Sequence, residues 1–99
     1  MESLVDVVKT IIEDEGREVD GYIIVNSGMF LVSEIQNIME YIEEENLPVM
    51  GRLFHDKKNR GLDGCDIKTS PVQKVEHTVM RNVFVVHTKN SVYVLAFVV

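Results

Sequence analysis

Apolar residues recur with two different periods along this 99-residue chain, and the change of period divides it. Leu4, Val8, Ile11 and Ile12, widened by Val5 and Val7, share one side of a 3.6-residue spiral and predict a helix over 4–15. Ser3 is placed to cap it, with Asp6 in its first turn, and Gly16 can end it. Ile35, Ile38, Met39 and Ile42 repeat at i, i+3, i+4 and i+7 and predict a second helix. Ser33 and Gln36 have the spacing of a capping box at its start, Asn46 can take the left-handed position at its end, and Pro48 closes it. Between the helices, Tyr22–Val25 reads as a strand introduced by Gly21. Asn26-Ser27-Gly28 reads as a turn into a return strand over Met29–Val32.

The period shortens to two in the last third. Val72–Val79, Val83–Thr88 and Ser91–Val98 read as three strands, with Pro71 at the start of the first and Lys89-Asn90 as a tight turn in which Asn90 tolerates a positive φ. Both faces of Ser91–Val98 are apolar: Val92, Val94, Ala96 and Val98 alternate with Tyr93, Leu95 and Phe97. Such a strand is covered on both sides. If the helices share one face, the other needs a second sheet, a curled barrel wall or another copy of the chain. Residues 51–70 have no period; three glycines and eight charges predict a loop, mobile at Asp56–Gly61 and preceded by a short strand at Leu53-Phe54. The expectation is one α+β domain over 1–99: two helices packed on an antiparallel sheet that ends in a C-terminal β-meander, with a mobile basic loop at about 51–66.

Composition is that of an ordinary globular chain, 45% apolar and 26% charged. Cys65 is the sole cysteine, so no internal disulfide can form, which fits a reducing compartment. The first residues lack the features of an export signal, and the longest apolar run, Val92–Val99, is too short for a membrane helix. A cytoplasmic protein is expected. The net charge of −6 is unevenly spread: residues 1–46 carry −10, while 47–70 and 71–99 each carry +2. That acidity argues against direct nucleic-acid binding, which needs clustered positive charge.

Candidate chemistry is sparse. His55-Asp56 are chain neighbours with no activated nucleophile beside them, Cys65 lacks a second thiol at metal spacing, and His77 and His87 lack a third ligand. No catalytic residue, metal site or cofactor is expected. Arg52, Lys57, Lys58 and Arg60 among Gly51, Gly61 and Gly64 form a basic, glycine-rich segment that could hold a nucleotide or another anion, although no phosphate-loop motif is present. Glu40, Glu43 and Glu44, with Glu45 and the acids of the first helix, could meet a protein partner or imitate a phosphate backbone. Tyr93 and Phe97 are expected at a contact with a partner or a second copy.

Thr69-Ser70-Pro71-Val72, followed by Thr88-Lys89-Asn90-Ser91-Val92-Tyr93-Val94-Leu95, resembles short, largely uncharacterised phage and prophage proteins. In those proteins a T-S-P-V strand start precedes a T-x-N-S-x-Y-x-L hairpin. The resemblance covers about 27 of the 99 residues and implies a mobile-element origin with no activity attached. The leading expectation is a small non-enzymatic binding protein that self-associates into a homo-oligomer and binds a protein partner, as a phage accessory or inhibitor. The alternatives are a small-ligand binder using the basic segment and an acidic nucleic-acid mimic.

Overall fold

Two helices form where the 3.6-residue pattern places them. The computed structural model describes residues 3–26, 31–58 and 63–98. Helix α1 spans Leu4–Asp14; the Ser3 hydroxyl accepts the Asp6 amide at its start, and Gly16 leaves it with φ of 73°. Helix α2 spans Val32–Glu45 and ends at Asn46 in the left-handed conformation, as its sequence predicts. Its start differs from expectation. Ser33 lies inside the helix rather than capping it; Leu31 holds the cap position, and the Glu34 carboxylate accepts the Leu31 N–H at 2.8 Å. An acid in the first turn satisfies an orphan donor and meets the positive end of the helix dipole, so α2 begins one residue before the serine.

The strands are β1 (Gly21–Asn26), β2 (Met50–Phe54), β3 (Cys65–Lys68), β4 (Val72–His77), β5 (Val83–Thr88) and β6 (Val92–Val98). They form one sheet in the order β3-β2-β1-β6-β5-β4. The fold is α+β with its last three strands in meander order, but the sheet is mixed, because β1 and β6 run parallel from Gly21↔Tyr93 to Asn26↔Val98. Of the expected return strand over Met29–Val32, Met29 and Phe30 lie outside the described residues, while Leu31 caps α2 and Val32 is helical; among the described residues β1 is flanked by β2 and β6 instead. Likewise the aperiodic stretch 51–70 contributes β2 and β3, paired from Met50↔Lys68 to Leu53↔Cys65. Of its expected mobile part, Asn59–Gly61 lie outside the described residues. The β5–β6 turn is closed by Thr88 rather than by a left-handed Asn90. The Thr88 hydroxyl accepts the Ser91 amide and donates to the Ser91 carbonyl.

This sheet cannot be flat. Six strands about 4.8 Å apart would hold their two edges about 24 Å from each other. Yet Thr69-Ser70-Pro71 alone carry the chain from one edge strand, β3, to the other, β4. Those four Cα steps reach about 14 Å when fully extended. The sheet therefore curls and shears until its edges converge, and hydrogen bonds fasten the junction: Thr69 N–H to Val49 C=O, and Val72 N–H to Leu47 C=O, both at 2.9 Å.

Each face then receives its own helix. Inside the curl, Ile35 and Met39 of α2 pack with Ile23, Leu53, Phe84, Val86, Tyr93, Leu95 and Phe97. Outside it, Val8 and Ile12 of α1 pack on Tyr22, Val83, Val85, Val94 and Ala96. The doubly apolar strand is thus covered on both faces within one chain: of the covers left open by the sequence (a second sheet, a curled wall or another copy), curl is the one found, with a helix on each face. Tyr93 and Phe97, expected at a partner contact, are only 2% and 5% exposed and belong to the inner core.

Candidate functional site

The outer face is covered unevenly. Helix α1 rests over β5, β6 and the first half of β1, and beyond it the surface of β1, β2 and β3 opens into a groove of about 830 Å³. Period-two alternation decides which side chains reach it. Ile24, Arg52 and Asp66 stand in register across the three strands, and Met50 stands in register with Lys68. Met50 is 65% exposed and Val98 37%, so the groove presents large apolar groups to solvent beside Arg52, Asp66 and Lys68. Gly51 lets β1 and β2 come this close. A Cβ there would stand 2.7 Å from the Ile24 carbonyl oxygen and 2.6 Å from Ile23 Cγ2.

Among the described residues, Arg52 is not brought together with Lys57 and Lys58. Arg52 lines the groove. Lys58 instead ties the end of β2 to the β5–β6 turn, its ammonium donating to the Asn90 carbonyl at 2.7 Å and the Ser91 hydroxyl at 2.9 Å. Lys57 follows the same route, its amide bound to the Asp20 carbonyl, and Arg60 lies outside the described residues. The strand path separates them: Arg52 points out from the middle of β2, whereas the chain leaves β2 through His55, held at φ of 51° by the Asp63 carboxylate on its amide. Two of the four candidates are thus engaged in joining elements or displaced from the groove.

The acidic candidates are also divided. Glu40 and Glu44 are exposed on α2, while the Glu43 carboxylate accepts the Val75 N–H of edge strand β4 at 2.6 Å. The acids ending α1 lie on the other side of the sheet. A continuous acidic surface joining the two helices is therefore not formed.

At the far end of the outer face, Glu76 on β4 accepts from Arg17 at 3.1 Å, contacts His87 Nε2 at 2.9 Å, and pairs with Lys74 at 3.3 Å. The His87 hydrogen bond, followed by Lys74, holds its carboxyl down at about 2. His77 turns to the opposite side and packs edge-on against Phe84, so the two histidines do not meet. Burial, with Glu13 adding to it, pushes the Tyr22 hydroxyl above its ordinary value. Among the described residues there is no group of three His, Cys, Asp or Glu side chains able to hold a metal, and no helix long and apolar enough to cross a membrane.

The groove was hidden in the sequence because 51–70 reads as loop there. The visible signal was the alternation of Arg52 and Phe54 about Leu53, answered by Asp66 and Lys68 about Ile67. No family model matches the chain, and neither the curated proteins nor the solved structures contain a match to it.

Proposed function

We propose that this protein is a non-enzymatic binding module that holds a protein partner on the outer face of β1, β2 and β3. The observation that carries this reading is the uncovered groove, where Met50 and Val98 stand exposed among Arg52, Asp66 and Lys68. Apolar groups ringed by mixed charge suit a protein surface better than a small anion, because charge of both signs lines the same groove. An accessory or inhibitor role in a phage setting rests on the resemblance of residues 69–95.

A photo-crosslinking side chain at position 50 tests the proposal in cells. The expected result is one adduct of defined mass, lost when Arg52→Glu is added on the same face. The control is position 79, more exposed than position 50 but on the β4–β5 connection. Equal, diffuse labelling from positions 50 and 79 would refute the reading.

A further inference from the structure

The two edges of the sheet are treated differently. Strand β4 is shielded by the Glu43 carboxylate on Val75 N–H and by a register shift between Val72 and Lys74. An occupied amide and a bulge are both devices that keep another strand from adding. Strand β3 carries neither among the described residues; its edge is marked only by the charges of Asp66 and Lys68, both exposed.

Hydrogen-bond parity says which groups that edge offers. Thr69 N–H bonds Val49 C=O, and Gly64 N–H bonds Leu53 C=O, so Val49, Gly51 and Leu53 turn their backbone groups toward β3. In an antiparallel ladder the bonded pairs alternate with unbonded ones. Ile67 is therefore bonded to β2, while the N–H and C=O groups of Asp66 and Lys68 point away from it.

We propose that β3 pairs antiparallel with β3 of a second copy of this chain, placing Asp66 opposite the other copy's Lys68 on both sides of a two-fold axis at Ile67. This deepens the binding role proposed above by naming one occupant of the β3 margin. Pairing through the outward groups of residues 66 and 68 permits few registers. Setting each Asp66 against its own counterpart opposes two carboxylates, and setting Lys68 against its counterpart opposes two ammonium groups. The intermediate register alone sets acid against base twice. It also brings the two Ile67 side chains together on the inner side, where each already packs at the core margin. Opposite charges facing each other across strands favour pairing, and like charges oppose it. The two charges that repel a foreign strand thus select the chain's own copy. A closed two-fold pair leaves only the two shielded β4 edges at the ends of the joint sheet, so it does not extend into a fibre.

Charge reversal on the full chain tests the register. Asp66→Lys exchanges two attractions for two repulsions and is expected to weaken the dimer on the order of thirtyfold, as cross-strand pair energies imply. Lys68→Asp should do the same. The double variant Asp66→Lys/Lys68→Asp restores the pairing and the dimer, and an equimolar mixture of the two single variants forms a heterodimer. Analytical ultracentrifugation and native mass spectrometry read each state. A wild-type chain that stays monomeric at millimolar concentration overturns the proposal, as does a dimer unaffected by the single reversals. Position-50 adducts to a different protein would persist in the first case, so this failure is separable from failure of the binding role.

Discussion

Gly51→Ala is the smallest change that should loosen the groove, because one methyl group there has no room. The added Cβ would stand 2.6 Å from Ile23 Cγ2 and 2.7 Å from the Ile24 carbonyl oxygen. Carbon contacts settle at about 3.5–4.0 Å. Ile23 is fully buried and the carbonyl belongs to the backbone of β1, so neither can swing aside. Overpacking of this kind costs about 1–3 kcal/mol. Replacing glycine also restricts the unfolded chain, which returns about 0.4–1 kcal/mol. The net is a loss of about 1–2 kcal/mol, or a fall in Tm of about 5–15 °C for a domain this size. Thermal and urea unfolding measure it. A double-mutant cycle with Ile23→Ala isolates the cause, since the alanine at 51 should partly fill the hole that Ile23→Ala opens and make the second change cheaper. A Tm at or above the wild type, or strict additivity in the cycle, would refute the close-approach argument.

Two further outcomes follow from single groups. Glu76 has its carboxyl held at about 2 against an ordinary 4.5, so its ionised form adds stability that is complete above about pH 4.5 and lost as pH falls toward 2. Glu76→Gln should lower Tm at neutral pH and match the wild type near pH 2; a Tm gap constant across that range would exclude the linkage. Glu43→Ala removes the acceptor of the Val75 amide, at a cost of about 1 kcal/mol after allowing for its half-exposure, and should speed hydrogen exchange at that amide. Glu43→Gln, which keeps an acceptor, should restore most of the protection; exchange unaltered in Glu43→Ala would show that the carboxylate does not guard the edge.

Helices α1 and α2 and the last two strands were legible because each is long enough for its period to repeat, and because Ser3, Gly16 and Asn46 carry the turn chemistry their positions need. The cap at Leu31 was not, since leucine has no acceptor and the signal lies in Glu34 behind it. Strand β2 was expected only at its end, Leu53-Phe54, and β3 was read as loop, for a different reason. Four or five residues, one of them Gly51 and several charged, give too few alternations to stand out from a loop. Their pairing comes from long-range register with β1, which local pattern cannot report. The parallel β1–β6 contact and the curl are likewise properties of the whole chain path. The doubly apolar β6 was read correctly as a strand covered twice, but the sequence pattern did not distinguish a second helix from a second copy. Arg52 and Lys58 part because adjacency in sequence is not adjacency on a sheet: Lys58 leaves with the chain at His55 while Arg52 stays on β2.

Curl makes the two faces unequal, and this bears on where a partner would sit. The inner face of a curled sheet is the smaller, and the fourteen residues of α2 fill it. The outer face is larger but receives the shorter helix, the eleven residues of α1. A helix about 10 Å across covers about two strands spaced at 4.8 Å, so part of the outer face of a six-stranded sheet must stay bare. Bare surface alone is therefore no sign of function; its composition is. At the β4–β5 end the uncovered positions are filled by Arg17, Lys74, Glu76 and His87, a charged network closed on itself. At the β1–β3 end the same geometric necessity is met by Met50 and Val98, left exposed beside the edge that the fold does not shield. Val79 is exposed on the β4–β5 connection rather than on the sheet, so on the sheet surface itself the contrast between a charged network at one end and apolar side chains at the other is what supports the binding surface proposed at the β1–β3 end.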